Sequence, residues 1–212
     1  EILRNRWDEV DDEEKLRIVD VLAQRSDKMA SLVGDVLGVA AIEAGAISYA
    51  VEPFDFVEMM REVVDEGIRD ELSGIRSPTG PGSTTIAIRA EGGLPDALAD
   101  RRRQMLILEN VLWNAFIQTP VEESIEIDVR SRDGALEIAV TDRGPGLTDE
   151  QKERVFQRFA RTPLARGQEL KGSGLGLYTS KHLVEAQGGD MWVESGPGKG
   201  TVWYWTVPAV TH

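Results

Sequence analysis

Cysteine is absent from the 212 residues, so neither a disulfide framework nor a thiolate metal site can form. Histidine is nearly absent, with only His182 and His212. Positive charge is in deficit: 24 Lys and Arg stand against 37 Asp and Glu, a net charge of −13. That balance argues against nucleic acid or an anionic membrane as the main partner. No apolar run reaches the roughly 20 residues that cross a bilayer, and no signal peptide is visible. No membrane contact is expected from these residues, and the cytoplasm is the expected compartment. No internal repeat is found. The first residue is Glu1 rather than Met, so the expectation is a piece excised from a longer protein, with a membrane anchor in that parent left open. Against these absences, 41% apolar residues suffice for a core. The length is generous for one small domain and short for two.

Glycine is concentrated where chemistry would need it. Residues 172 to 177 read Gly-Ser-Gly-Leu-Gly-Leu. Three glycines in five positions suit neither a packed strand nor a helix interior. Leu175, Leu177, Leu183 and Val184 are spaced for a helix that begins inside the glycines. A glycine-rich turn feeding a helix N-terminus presents backbone N–H groups and the positive dipole end, which is a phosphate cradle. Taken alone, the stretch is equally a flexible turn.

Along the chain, residues 1 to 8 read as the tail of a helix. Asp11, Asp12, Glu13 and Glu14 suit the first turn of another, running to about Ala44. Val19, Leu22, Ser26, Met29, Val33, Val36 and Ala40 recur in steps of three and four. So narrow a seam on so long a helix favours a coiled coil or bundle over an amphipathic helix lying on its own domain. Gly45 is its expected C-terminal cap. A short strand is expected at Ile47, Tyr49 and Val51, stopped by Pro53, then a helix over 54–68 and a loop over 73–83. Strands are expected at 84–89 and 94–98, and a helix from an Asp100 cap to about Ile117. Residues 125–129 and 136–140 alternate about Arg132-Asp133-Gly134 as a hairpin. A last strand is expected at 202–207.

Several residues stand out chemically. Leu136, Ile138, Val140 and Asp142 share one face by period two, and a carboxylate ending a core-facing row needs a partner. It reads either as a turn cap or as an acceptor for a flat polar ligand. Gly144 and Gly146 after it allow close approach. Asn110 and Asn114, four apart, share a helix face, either as solvated amides or with an amide oxygen for Mg²⁺. Phe156 and Phe159 precede a polar stretch, 162–171, suited to a mobile flap. Gly198-Lys-Gly200-Thr201 is one further glycine pair.

Asn110/Asn114, Asp142-x-Gly-x-Gly, Phe156/Phe159, the glycines of 172 to 177 and Gly198-x-Gly-Thr201 occur in this order. Together they closely resemble the N, first-glycine, F, second-glycine and third-glycine boxes of the histidine kinase ATP-binding domain, in the gyrase, heat-shock chaperone, histidine kinase and MutL superfamily. Residues 32–37 with Ile42-Glu43-Ala44-Gly45 resemble the second helix of the kinase dimerisation hairpin. The resemblance covers nearly the whole chain.

It implies an α+β fold: a two-layer α/β sandwich of helices on a mixed sheet, of the Bergerat type, preceded by a long N-terminal helix. It implies residues 1–46 as part of the dimerisation hairpin and 47–212 as the ATP-binding domain. Asp142 would take the adenine amino group. Asn114 would hold Mg²⁺, with Asn110 near the phosphates. Gly172, Gly174 and Gly176, with Leu175, would cradle the phosphates, and Arg161 would reach them from the flap. Gly144, Gly146, Phe156, Phe159 and Thr201 complete the implied ATP site. A response-regulator receiver domain and a second copy in a homodimer are the implied partners.

The family's Lys and aromatic three and four residues after the magnesium asparagine are here Ile117 and Gln118. The phospho-accepting histidine is not in these residues and is expected upstream of Glu1. Two other readings stay open at this point: a degenerate nucleotide-binding or dimerisation module without kinase activity, and a serine kinase of the anti-sigma type, against which the heptad helix argues.

Overall fold

The structure is a computed structural model and describes residues 11–67, 84–120, 123–160 and 173–210. The expected helix tail over 1–8, the loop over 73–83 and the flap over 162–171 lie outside the described residues, as do Arg161 and Gly172.

Helix α1 spans Asp12–Glu43 and is capped at Asp11, whose side chain accepts from the Glu14 amide at 2.8 Å. Gly45 follows its last turn, and the Ala46 amide donates back to the Ala41 carbonyl at 3.0 Å. The expected seam is exposed over most of its length, at Val19, Leu22, Met29, Val33 and Val36, with Leu16 and Leu37 exposed as well. The last turns differ: Val39 is buried in a small cluster with Leu175 and Tyr178, and Ile42 packs on the main core.

Strand β1 spans Val51–Phe54 and pairs antiparallel with β3, Ala97–Asp100. This corrects two expectations. Pro53 does not stop a strand but lies inside one, opposite Leu98. A two-stranded ribbon is all edge, where a missing N–H is tolerated. Ile47 and Tyr49 lie before the strand and pack on the core instead. Helix α2 then spans Phe56–Glu62, later than expected, because the Asp55 carboxylate accepts from the Val57 and Glu58 amides at 2.8 and 2.9 Å. It widens into a π turn over Val63–Gly67.

The larger sheet has the order β2-β4-β5-β7-β6. Its strands are β2 (Thr85–Ala90), β4 (Ser124–Arg132), β5 (Ala135–Asp142), β6 (Met191–Ser195) and β7 (Thr201–Pro208). Strands β2 and β4 are parallel and the other pairs antiparallel, so the sheet is mixed. The β4–β5 hairpin turns at Asp133 and Gly134, both with positive φ (51° and 81°), the geometry a two-residue hairpin requires.

Helix α3 (Arg101–Gln118) starts at the expected Asp100 cap, whose side chain accepts from the Arg103 amide at 3.2 Å. Asp100 also accepts from the Ala50 amide at 3.0 Å, tying residue 50 to the start of the helix. Helix α4 (Asp149–Arg154) is short, and helix α5 (Gly176–Glu185) follows the glycines.

Helices α2, α3 and α5 cover one face of the sheet. Buried there are Ile125, Ile127 and Val129 of β4, Leu136, Ile138 and Val140 of β5, and Trp203, Trp205 and Val207 of β7. Against them pack Met59, Met60, Ile107, Leu108, Val111, Leu112, Ala115, Leu183 and Val184. The other face is polar. On it, Trp192 and Tyr204 stack at 5.0 Å and Glu126 pairs with Arg143. This is the expected α+β two-layer sandwich behind a long N-terminal helix.

Candidate nucleotide site

The site is assembled where β5 ends, beside the C-terminal half of α3 and the N-terminus of α5. Period two carries the core-facing row Leu136, Ile138, Val140 into Asp142, which is only 1% exposed. Its Oδ1 accepts from the Gly144 amide at 2.9 Å and the Thr201 amide at 3.1 Å. Its Oδ2 accepts from the Trp203 indole Nε1–H at 3.2 Å. Burial pushes the Asp142 pKa above the usual carboxylate value, while the Gly144 amide, the Trp203 indole and the Thr201 amide and hydroxyl pull against that rise. A carboxylate so placed presents its oxygens purely as hydrogen-bond acceptors.

The glycines around it are structural first. Gly146 has φ 71°, and a Cβ there would stand 2.0 Å from the Gly196 carbonyl oxygen. Only glycine lets the two turns meet, and their contact holds the end of β5 against the β6–β7 turn. A Cβ at Gly144 would meet Gln118 Cβ at 2.8 Å, so the turn after Asp142 lies directly on the end of α3. Ser195 stitches these turns together: its hydroxyl donates to the Gly200 carbonyl at 2.6 Å, accepts from the Leu147 amide at 2.8 Å and lies 3.2 Å from Thr201 Oγ1.

Asn110 and Asn114 are half-buried on the α3 face turned to α5. Asn110 Nδ2 donates to the Ser180 hydroxyl at 3.3 Å, and Asn114 Nδ2 donates to the Asn110 carbonyl at 2.7 Å. Both amide nitrogens are therefore engaged, which turns the side-chain oxygens into the groups that can serve a cation or accept from a ligand. A Cβ at Gly176 would approach Asn110 Oδ1 to 2.9 Å, so the first residue of α5 lies against this pair. Leu175 is the N-cap of α5 and makes no side-chain cap bond. The Gly176 and Leu177 N–H groups at this helix start can thus serve an anion. The Leu175 side chain is buried against Val39 and Tyr178, so what it offers the site is backbone.

The phenylalanines are placed differently from each other. Phe156 stands edge-on to Trp203, with centroids 6.2 Å apart, and Lys181 Nζ lies over the Phe156 ring, 5.0 Å from its centroid. Phe159 is 64% exposed with φ 58°, and its backbone abuts Gly174. Asp142, Gly144, Gly146 and Thr201 are therefore gathered at one end of the site, and Asn110, Asn114, Gly174, Leu175 and Gly176 at the other. Glu109 is exposed, and His182 is half-buried with its ring tilted 38° against that of Tyr178, centroids 4.1 Å apart.

Sequence reasoning missed Trp203 and Ser180, the partners of Asp142 and Asn110. Trp203 lies two residues beyond Thr201 on one face of β7, and that spacing was the available signal. For Ser180, a small polar residue four positions after Gly176 on the same helix was the signal.

Among the described residues no cluster of three His, Asp or Glu side chains could hold a metal. The Asn114 carbonyl oxygen fits one position of an ion that keeps waters and takes phosphate oxygens for the rest, the habit of Mg²⁺.

Known proteins resemble this chain in sequence and in fold. Residues 99–211 match the family described as "Histidine kinase-, DNA gyrase B-, and HSP90-like ATPase". The chain is 30% identical over 198 residues to the sensor histidine kinase WalK of Bacillus subtilis, covering 91% of this chain and 30% of that protein. Full-length ShkA, crystallised with AMPPNP, superposes with a TM-score of 0.78 at 28% identity over 94% of this chain and 40% of its own. Histidine kinase ThkA in complex with the response regulator TrrA superposes with a TM-score of 0.70 over 95% of this chain and 54% of its own; its 20% identity speaks for the fold alone. The chain spans well under half the length of WalK and ShkA.

Proposed function

We propose, for a chain that belongs to the histidine kinase-, DNA gyrase B- and HSP90-like ATPase family, the role of ATP-binding catalytic segment in a sensor histidine kinase. The γ-phosphoryl group of ATP would pass to a histidine outside this chain and then to an aspartate on a response-regulator receiver domain. The observation that carries the reading is the buried Asp142, its carboxylate fixed by the Gly144 and Thr201 amides and the Trp203 indole, at the end of a cradle closed by the N-terminus of α5. ATP supplies the phosphoryl group and Mg²⁺ supplies charge neutralisation. The protein's part is placement, which is most of what phosphoryl transfer asks of it.

In this reading Asp142 accepts from the adenine amino group, and Thr201, Gly144 and Gly146 hold that carboxylate in place. Asn114 gives its amide oxygen to Mg²⁺, and Asn110 lies beside the phosphates, anchored by Ser180. The α5 amides at Gly176 onward take phosphate oxygens, with Gly174 shaping the approach and Gly172 and Arg161 contributing from beyond the described residues. Phe156 acts through Trp203, and the exposed Phe159 borders the site. Residues 1–46 form part of a dimerisation hairpin, the exposed seam of α1 meeting a second copy, and residues 47–212 form the ATP-binding domain. A kinase drawing on cellular ATP belongs in the cytoplasm.

A non-catalytic nucleotide-binding module is favoured by one observation. Gln118 packs on Gly144 where the family carries its aromatic, and Ile117 replaces the cationic residue. One experiment separates the two. The chain is given radiolabelled ATP with Mg²⁺, first alone and then with a polypeptide supplying the hairpin helix and its histidine. A kinase segment binds Mg-ATP, stays unlabelled alone because the acceptor histidine is not in it, hydrolyses ATP slowly because Asn110 cannot act as a general base near neutral pH, and puts acid-labile label on the supplied helix. Binding without transfer supports the module. No binding refutes both.

A further inference from the structure

Trp203 is 3% exposed, and its indole nitrogen is aimed at Asp142 Oδ2. An ionised carboxylate offers about four lone-pair positions. On Oδ1 two are taken, by the Gly144 and Thr201 amides. Oδ2 accepts from the Trp203 indole. Phe156, edge-on to the indole, holds the ring in this orientation from the segment after α4.

We propose that Trp203 is the positioning residue for base recognition: its N–H orients Asp142 and keeps Oδ2 a pure acceptor, so that the site reads a purine by its exocyclic amino group. The proposal rests on the reading of Asp142 as adenine selector. The reasoning follows from where a proton would go. Oδ1 already faces two donors, so protonation of Asp142 would fall on Oδ2. There it would make the carboxyl a donor, matched to a 6-oxo purine rather than a 6-amino one. An indole N–H can only donate, and it opposes a proton on the oxygen it faces.

The groups facing Asp142 are the Gly144 amide, the Thr201 amide and hydroxyl and the Trp203 indole, with uncharged Gln118 beyond Gly144; none carries a charge. Arg143 is turned to the opposite face of the sheet, paired with Glu126 at 2.8 Å. In this set the Trp203 indole is the side-chain donor whose hydrogen bond falls on Oδ2.

The test compares ATP with purine riboside triphosphate, which lacks the amino group, by titration calorimetry from mildly acidic to neutral pH. Wild type is set beside Trp203→Phe and beside a chain in which benzothienylalanine replaces Trp203 alone, keeping the bicyclic shape without the N–H. Wild type is expected to prefer ATP. Both variants should lose about tenfold of that preference, the scale of one hydrogen bond to a charged group. Both should bind the amino-free analogue as wild type does, with the acid-side loss of ATP affinity moved to higher pH. An unchanged preference and pH profile in the benzothienylalanine chain would show that Trp203 only fills space. Equal losses for the two nucleotides would show the same. A wild type indifferent to the amino group would overturn the Asp142 reading, and this inference with it.

Discussion

Replacing Asp142 by asparagine is the sharpest perturbation of this site. An amide has one acceptor oxygen and one donor nitrogen. If the oxygen takes the Oδ1 position, it keeps the Gly144 and Thr201 amides at 2.9 and 3.1 Å. The NH₂ then faces the Trp203 indole N–H across the 3.2 Å now spanned by a hydrogen bond, and it faces the adenine amino group, donor against donor. If the amide flips, the NH₂ meets two backbone donors instead. Neither orientation satisfies all partners, and the charge is gone in both. Asp142→Asn should therefore weaken ATP binding by about 1.5–3 kcal/mol, the worth of a hydrogen bond to a charged group, or roughly ten- to 150-fold in Kd.

The same carboxylate links binding and folding to pH with opposite signs. Burial raises its pKa above the ordinary 3.8, so the folded chain holds this proton more tightly than the unfolded one. Its contribution to stability is greatest below 3.8 and is lost as pH climbs through the raised folded value. ATP needs the ionised form, so affinity falls as pH drops through that value. The variant should lack both slopes, seen as the wild-type-minus-variant difference in calorimetric Kd and in urea midpoints, where the other carboxylates cancel. ATP affinity within twofold of wild type in a folded variant would refute the reasoning.

Gly146→Ala should destabilise by more than ~1 kcal/mol in urea melts, since it adds a Cβ 2.0 Å from the Gly196 oxygen at φ 71°. Asn114→Ala should remove the magnesium-dependent part of ATP affinity, so that chelation by EDTA weakens wild type but leaves the variant unchanged. The exposed α1 seam should give mostly monomer or a concentration-dependent mixture on sedimentation, because a four-helix core needs both helices of each hairpin. Val33→Asp should remove whatever association remains, and a tight, concentration-independent dimer would contradict this.

Much of the layout was legible because the signals are local. The 3.6-residue period and the Asp100 cap gave α3 nearly to its ends. Strict alternation about Asp133-Gly134 gave the β4–β5 hairpin and placed Asp142 on the buried face. The spacing of Gly172, Gly174 and Gly176 gave the start of α5. Other elements went unread for equally physical reasons. Helix α4 buries no residue, so it has no apolar period; its one signal was the Thr148/Gln151 capping box. Strand β6 is five residues with an irregular burial pattern. Pro53 argued against a strand in general, but it sits in a ribbon that the general rule excepts.

Composition, periodicity and glycine spacing act over a few residues, so the chain alone determined the class of fold, the order of the boxes and which faces turn inward. What it did not determine is who meets whom across long separations. The β5–β7 register sets Asp142 opposite Thr201, and only that pairing brings Trp203 onto Oδ2. The packing of α5 on α3 brings Ser180 to Asn110, seventy positions away. Such partners are chosen by burial of the whole core and by the cost of leaving a buried carboxylate or amide without a hydrogen bond. That balance exists only once the strands and helices have come together.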